Sequence, residues 1–407
     1  DFIKKLSLTP QEKLLLEEVY KQITTRLKFI CDLGIDYLSL NRKAPTLSGG
    51  ENQRIRLARQ LGSGLTGVLY ILDEPTIGLH PQDCQQLLSA LKDLKNLGNS
   101  LICVEHDPMV LKTCDYLVDL GPGSGKWGGE IIEKGSFKQL LNKSTSPTIK
   151  YLTHQIRVEQ LPPPKSPAYG KIHIKDVNIH NLLNLQVSIP LGHITCITGV
   201  SGSGKSTLLR HVLKPSLGEL TSQEDLSSFS IHEGEVSLDS PTTPKDLVVL
   251  EQKPIGRTAR SNVATYVDLL TPIREWFSLL PKAKAKGLLP RHFSYNHKKG
   301  MCSTCWGLGY KKIQLHFLPD AITPCDQCHG LRLNPTSLSI TYEGKSLGQY
   351  LQMTIEEIEP IFSHIPSIKR LCELLKNVGL GYLNLGQEVA TLSGGEAQRL
   401  RLCQKLM

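Results

Sequence analysis

A glycine-rich segment near the middle of the chain has the residue types and spacing of a phosphate-binding loop. Residues 199–206 read G-V-S-G-S-G-K-S and match the pattern G-x-x-x-x-G-K-[ST] in full. Glycines let backbone N–H groups close around phosphate oxygens, the lysine supplies a positive charge, and the final hydroxyl can ligate Mg²⁺. The sequence therefore predicts a site for a nucleotide and Mg²⁺ at Gly199, Gly202, Gly204, Lys205, Ser206 and Thr207.

Four of the eleven cysteines form two close pairs, C-S-T-C at 302–305 and C-D-Q-C at 325–328. Four thiolates at this spacing indicate a tetrahedral Zn²⁺ site, which is structural because no coordination position stays open for a substrate. Each pair continues as Cys-x-Gly, and Gly307 and Gly330 can adopt the left-handed backbone that directs amides at thiolate sulfur. The predicted ligands are Cys302, Cys305, Cys325 and Cys328, and the alternative at this stage is a set of reduced core cysteines.

Positive charge is concentrated between residues 253 and 300, where ten Lys and Arg residues face only Asp268 and Glu275. Aromatic residues are interleaved with the charges, and basic groups with aromatic surface are what contact with nucleic acid requires. The segment therefore predicts DNA binding, with a simple solvated surface as the alternative. The aromatic residues are Tyr266, Trp276, Phe277, Phe293 and Tyr295.

The composition indicates an ordinary globular chain of 407 residues, long enough for two or three domains. No apolar run approaches the roughly 18–20 residues of a membrane span, so we expect no membrane contact. Scattered cysteines beside one metal site favour a reducing, cytoplasmic location. The first residues are neither an initiator methionine nor a secretory signal, which predicts an internal piece of a longer protein.

Secondary structure must position these groups, and several elements follow from local patterns. Thr9, Pro10 and Glu12 form a capping box that begins a long helix. The apolar runs 68–72 and 101–104 end in acidic residues, as buried parallel strands do. Further strands are predicted at 194–198, leading into the glycine-rich loop, and at 247–251, with a helix through Leu208, Leu209 and Val212 after the loop.

The chain also repeats itself. Residues 34–61 and 379–406 align without gaps, so that T-L-S-G-G-E at 46–51 returns at 391–396. Gln53, Arg54 and Arg56 return as Gln398, Arg399 and Arg401. Two copies so far apart indicate two related modules and exclude a solenoid of short repeats.

The repeated L-S-G-G-E-x-Q-R resembles the signature sequence of ATP-binding-cassette ATPases. The resemblance implies that the signature binds the γ-phosphate of ATP held by the opposite cassette, through Ser48, Gly49 and Gly50 or through Ser393, Gly394 and Gly395. It further implies that Asp73 and Glu74 are the Mg²⁺ ligand and the general base, and that His106 senses the γ-phosphate. Gln252 matches the Q-loop glutamine, and Asp83 lies in a stretch similar to the dimer-contact loop.

The implied fold is α/β, a P-loop NTPase of the ATP-binding-cassette type, with two partial cassettes and a zinc-binding insertion. Residues 1–142 would be the later part of cassette I, 143–170 a linker and 171–252 the start of cassette II. Residues 253–345 would be the insertion and 346–407 the signature region of cassette II. By this motif order, the first phosphate loop and the second Asp-Glu pair and histidine lie outside the chain.

Several stretches resemble the UvrA-like family of excinuclease ATPases, namely 121–125, 252–262, 264–266, 293–296, the four cysteines and 317–320. The resemblance implies a DNA-binding ATPase of nucleotide excision repair that recognises damaged double-stranded DNA, forms a homodimer and loads a helicase-like partner subunit of the excinuclease. The sequence departs from the family at Ala259 and Val263 and matches it poorly over 211–246. The alternatives are another soluble cassette ATPase, of translation or of a transporter, and a zinc-dependent DNA-binding module without ATPase activity.

Overall fold

The computed structural model describes residues 3–5, 9–44, 47, 49–61, 65–141, 145–156, 169–222, 228–231, 234–240, 244–250, 258, 260–314 and 320–407. The chain divides into two compact units, residues 1–120 with 131–247 and residues 121–130 with 248–407. Within the described ranges, no helix combines the length and the apolarity that a bilayer crossing requires.

The first unit begins with a helical layer on a pair of parallel strands. Helix α1 (Pro10–Asp32) starts at the predicted capping box, where Thr9 and Glu12 bond each other's backbone N–H groups. Strand β1 (Leu69–Asp73) pairs in parallel with β2 (Ser100–Val104), which confirms both predicted strands. Helices α2 (Gly49–Leu61) and α3 (Pro81–Asn96) complete this layer.

Only one face of the β1–β2 pair is covered. Tyr70 lies in a core with residues of α2 and α3, whereas Ile71 is 71% exposed and Val104 is 57% exposed. The expectation that these strands are buried is therefore wrong for one of their faces, within the part of the chain that the structure describes.

The first unit also contains a four-stranded antiparallel sheet of order β6-β5-β8-β7. Val177, Val212 and Val236 are fully buried in its core. The elements before the sheet are α4 (Pro108–Thr113), β3 (Leu117–Gly121), β4 (Glu130–Gly135), α5 (Phe137–Leu140) and α6 (Pro147–Leu152). The sheet and the helix after the glycine-rich loop are β5 (Lys171–Ile179), β6 (Leu182–Pro190), α7 (Lys205–Thr207), a π-helical segment Leu208–Leu213, α8 (Lys214–Ser222), β7 (Ser228–Ile231) and β8 (Gly234–Asp239).

Two predicted strands are absent. Residues 194–198 have no strand assignment, and neither do residues 247–250, the described part of the predicted strand 247–251; Ile194 is 97% exposed. An apolar run becomes a strand only when a neighbour accepts its backbone hydrogen bonds, and no strand in the described ranges pairs with either run. Both predictions are wrong for the residues described.

The second unit has one hydrophobic core, formed by residues from both predicted segments 253–345 and 346–407. Phe277, Phe293, Tyr350 and Phe362 are fully buried in it. Its helices are α9 (Val263–Tyr266), α10 (Leu270–Leu279), α11 (Pro281–Ala285), α12 (Pro335–Leu338), α13 (Leu347–Tyr350), α14 (Ile355–Phe362), α15 (Pro366–Asn377) and α16 (Gly394–Leu406). Its strands form two hairpins, β9 (Tyr310–Ile313) with β10 (Ala321–Pro324) and β11 (Thr341–Tyr342) with β12 (Lys345–Ser346). Among the described residues, short 3₁₀ turns lie at Ile3–Lys5 in the first unit and at Gly125–Trp127, Pro290–Phe293 and Val389–Thr391 in the second.

Candidate nucleotide and zinc sites

The glycine-rich loop has the backbone that its sequence predicts. Gly199, Gly202 and Gly204 have φ values of 150°, 78° and 97°, in the region that favours glycine. The Lys205 Nζ lies inside the loop and donates to the Gly199 and Val200 carbonyls at 2.6 and 2.7 Å. The positively charged Lys205 side chain therefore lies at the centre of the loop, where a phosphate site needs a cation.

The loop also contacts the first signature helix and the start of α3. The Ser201 N–H donates to Asp83 Oδ2 at 3.1 Å, and Arg54 Nη2 donates to Ser201 Oγ at 3.3 Å. A Cβ on Gly202 would lie 3.0 Å from the Tyr37 ring, so a side chain there would push against the first signature copy, residues 34–61. Segments far apart in sequence thus meet at one loop within the first unit.

Arg54 stabilises this contact between the glycine-rich loop and the first signature copy. It was not among the predicted site residues. Only 3% of it is exposed, and its Nη1 donates to the Leu33 and Gly34 carbonyls at 3.1 and 3.2 Å. Beside it, the Tyr37 hydroxyl donates to Glu51 Oε1 at 2.6 Å. The available signal was the repeat itself, which preserves this arginine, tyrosine and glutamate.

The second copy has the same internal contacts. Arg399 Nη1 donates to the carbonyls of Val378 and Gly379 at 3.0 and 3.2 Å, and the Tyr382 hydroxyl donates to Glu396. Ser393 caps α16, and around Gly395 the space next to the backbone is open. Gly394 and Gly395 therefore form the exposed first turn of a helix.

In the first copy, Gly49 and Gly50 likewise begin α2. Ser48 and Gln252 lie outside the described residues, so their predicted roles stay predictions.

Asp73, Glu74 and His106 form a separate group at the carboxyl ends of β1 and β2. The Glu74 N–H donates to the Val104 carbonyl at 2.9 Å, and Glu74 Oε1 lies 4.0 Å from His106 Nδ1. Glu74 has a positive φ of 43°, an uncommon conformation for this residue type. The side chain of His106 is 77% exposed.

Glu105 connects the loops beside Glu74 and His106, although the sequence pattern predicted no role for it. One carboxylate oxygen accepts from the N–H and the hydroxyl of Thr76 at 2.8 and 2.6 Å. The other accepts from the His106 N–H at 3.0 Å and from the Asp107 N–H at 3.3 Å. One side chain thus ties the loop after Glu74 to the loop that carries His106.

The four cysteines come together in the second unit, as predicted. All four are buried and their Sγ atoms lie within 4.8 Å of one another. The Cys302–Cys325 and Cys305–Cys328 sulfur separations are 3.9 and 3.6 Å. Tetrahedral zinc with Zn–S bonds of about 2.3 Å requires sulfur separations of about 3.8 Å, so the residues fit Zn²⁺.

Backbone amides around the cluster favour thiolates. Gly307 and Gly330 have φ values of 81° and 87°, which confirms the predicted left-handed turns. The Gly309 N–H donates to Cys305 Sγ at 3.2 Å. Burial opposes ionisation of Cys325, but backbone N–H groups of Cys328 and Gln327 outweigh it and lower the pKa of this thiol to about 7.

The basic segment presents its charges outwards and its aromatic rings inwards. Phe277, Phe293 and Tyr295 are fully buried, and Tyr266 and Trp276 pack against the same core. The prediction of an aromatic nucleic-acid surface from these rings is therefore wrong, because they complete the core of the unit. The exposed cations of the segment are Arg260, Lys282, Lys284, Lys286, Arg291, Lys298 and Lys299. Arg257 lies outside the described residues.

No protein-family model matches the chain. Curated proteins named UvrABC system protein A match its whole length, with 46% identity for that of Borreliella burgdorferi and 47% for that of Treponema pallidum. The crystal structure of UvrA2 from Deinococcus radiodurans superimposes with a TM-score of 0.88 over 98% of the chain, at 43% identity. The whole chain matches a part of UvrABC system protein A.

This match to UvrABC system protein A confirms the fold class. The chain has the α/β P-loop fold of the ATP-binding-cassette type, and the four-cysteine cluster fits a zinc-binding insertion in it. The chain spans 42% of the length of the two relatives named above and 47% of the UvrA2 chain.

Proposed function

We propose that this chain is the nucleotide- and DNA-binding part of an excision-repair ATPase. The observation that carries the proposal is the contact of the glycine-rich loop with the first signature copy, residues 34–61, and with the start of α3. Ser201 of the loop bonds Arg54 of that copy and Asp83 of α3. A bound ATP would place its β- and γ-phosphates against Lys205, and its γ-phosphate would face the first turn of α2. Helix N-termini with free N–H groups suit an anion.

Mg²⁺ fits this site through Ser206, whose hydroxyl follows Lys205 on the first turn of α7. A magnesium ion there would neutralise charge on the β- and γ-phosphates. Gly199, Gly202, Gly204 and Thr207 would complete the phosphate site, with Gly49 and Gly50 at the start of α2. The roles of Ser48 at the γ-phosphate and of Gln252 at the metal stay predictions from the sequence.

Asp73, Glu74 and His106 belong to the first cassette, and we assign them to a different phosphate loop. The composite site that includes Lys205 then lacks its own general base, and removal of a positioned base costs about 10²–10⁴ in rate. Ser393, Gly394 and Gly395 would likewise serve ATP on another phosphate loop. The chain should therefore bind ATP–Mg²⁺ and hydrolyse almost none.

Nucleotide binding and turnover test this assignment together. Lys205→Ala should abolish binding of a fluorescent ATP analogue, whereas Lys92→Ala, at an exposed position of α3, should leave it intact. Steady-state turnover should be near background for the unmodified chain and for Glu74→Gln alike. Robust hydrolysis that Glu74→Gln abolishes would show that Glu74 acts on the nucleotide at Lys205, and the pairing of half-sites would be wrong.

We propose that the exposed cations of residues 260–299 bind the DNA backbone with little sequence preference, because phosphate contacts carry no base information. Affinity for a damaged duplex should fall steeply with salt. Charge reversal of Arg257, Arg260 and Lys299 to Glu should abolish binding. A matched reversal of the exposed Lys92, Lys112 and Lys138 in the first unit should not.

Equal effects of the two reversals would mean that only net charge matters and that the segment is a solvated surface. Folding of both variants is checked by zinc content and thermal melting.

We propose the wider role of the complete protein from the similarity of this chain to UvrABC system protein A. The complete protein would recognise damaged double-stranded DNA as a homodimer in the cytoplasm and load the helicase-like partner subunit of the excinuclease. Residues 1–142 and 171–252 would serve as parts of two cassettes, joined by 143–170. Residues 253–345 would be the DNA-binding insertion and 346–407 the second signature region. A zinc-dependent DNA module without ATPase activity is the outcome if the chain binds DNA but no nucleotide.

A further inference from the structure

Arg332 lies where the zinc cluster meets the loop that leads to the second signature helix. Its carbonyl accepts a hydrogen bond from the Cys302 N–H at 3.0 Å. A backbone hydrogen bond therefore joins this residue directly to a cysteine of the cluster.

The side chain of Arg332 reaches the loop before the signature. Its Nη2 donates to the Gly386 carbonyl at 3.3 Å and lies 3.7 Å from Glu388 Oε1. The two side chains are only 12% and 22% exposed, so water screens their attraction less than on an open surface. The guanidinium also lies 5.6 Å from the centre of the Tyr295 ring.

Glu388 is one short turn away from the signature residues. It precedes the 3₁₀ turn Val389–Thr391, and its carbonyl accepts from the Thr391 N–H and hydroxyl at 3.0 and 2.7 Å. Ser393, the cap of α16, follows two residues later. A shift of Glu388 would therefore displace the start of the signature helix.

The internal repeat supports a specific role for this acid. In the gap-free alignment of the two copies, Lys43 occupies the place of Glu388, and Asn41 occupies that of Gly386. A lysine has no acceptor for an arginine. The acidic residue is present in the copy that shares a unit with the zinc cluster.

We infer that Arg332 is a positioning residue that couples the folded zinc cluster to residues 384–396, so that loss of zinc loosens the second signature loop. The inference rests on the proposed zinc site and adds a link between it and a phosphate-binding element. Its direct partners, Gly386 and Glu388, belong to the same unit of the chain.

Hydrogen–deuterium exchange on the full chain tests the coupling. In the zinc-loaded protein, Arg332→Met should raise exchange across 384–396 about tenfold, the effect of losing one charge-assisted contact. Zinc content should stay at one ion per chain, because methionine keeps the backbone bond from the Cys302 N–H. Arg370→Met, at an exposed position of α15, is the matched control and should change neither quantity.

Chelation distinguishes coupling from a purely local effect. Removal of zinc from the unmodified chain should raise exchange in 384–396, whereas in Arg332→Met it should add little. Arg332→Lys should restore part of the protection. If Arg332→Met itself loses zinc, Glu388→Gln carries the test, because it changes no residue beside the cysteines.

Unchanged exchange of 384–396 in zinc-loaded Glu388→Gln and Arg332→Met would overturn the inference. A chain that holds no zinc would overturn it together with the proposed zinc site. A coupled loop in a chain that binds neither ATP nor DNA would leave the inference standing and refute the proposed function alone.

Discussion

The two signature copies, residues 34–61 and 379–406, share one internal framework but have different surroundings. In each copy an arginine, Arg54 or Arg399, bonds two carbonyls of the preceding turn, and a tyrosine bonds a glutamate. In the first copy the same arginine goes on to contact the glycine-rich loop at Ser201. In the second, the loop before the signature is bonded to Arg332 of the zinc module.

This difference shows that the repeated sequence determines the internal contacts of each copy but not the distant segment that the copy contacts. Contacts within about twenty residues recur in both copies because the residues that make them recur. Contacts to distant segments do not recur, because those segments differ. The two copies can therefore respond differently to the same substitution.

Removal of zinc should produce the largest difference in behaviour between the two signature copies. Cys305→Ser should remove the metal and lower the melting temperature of the second unit by about 10 °C or more, because a structural zinc site contributes several kcal/mol to folding. The first unit should melt unchanged. Elemental analysis and calorimetry measure both quantities.

The control is Cys196→Ser, an exposed cysteine of the first unit. Normal folding of the second unit after exhaustive chelation would contradict a structural role for zinc.

The paired substitutions Arg54→Met and Arg399→Met should have unequal effects. Arg54 is almost fully buried, so its loss should cost about 2–4 kcal/mol of unfolding free energy and also weaken ATP binding. Arg399 is half-buried, so its loss should cost about 1–2 kcal/mol and leave ATP binding unchanged. Denaturant unfolding and nucleotide titration of the same samples measure both effects. Equal effects on ATP affinity would mean that the contact with Ser201 has no bearing on the nucleotide.

The smallest expected effect is a pH dependence in the second copy. Burial alone would raise the pKa of Glu396, but hydrogen bonds from Tyr382 and Ser393 outweigh it and lower the pKa. The stabilisation that this carboxylate provides is therefore present above the unfolded pKa of about 4.3 and is lost as the pH falls through the folded value.

Glu396→Gln should accordingly lower the free energy of unfolding by about 0.5–1 kcal/mol at pH 7, because it weakens the cap of α16, and by less at pH 4. Thermal melts of the second unit at the two pH values test this. Glu343→Gln, in an exposed turn, should show no such difference. Equal costs at both pH values would show that the Glu396 charge does not stabilise α16.

The sequence by itself determined the features that depend on neighbouring residues. The capping box at Thr9, the positive φ angles of the glycine-rich loop and the turns at Gly307 and Gly330 follow from the residue types present, because caps and left-handed turns need particular side chains or none. The strands β1 and β2 and the cysteine cluster also followed from local patterns and spacing.

Only the tertiary structure decided which surfaces are covered and which distant groups meet. The runs 194–198 and 247–250 look like strands but have no described strand beside them, and β1 and β2 are covered on one face only. Phe277, Phe293 and Tyr295 could have faced DNA or a core, and packing in the shared core of the second unit placed them inside. Arg54, Glu105 and Arg332 gain their positions from partners that sequence spacing does not reveal, since a hydrogen bond depends on distance in space and not along the chain.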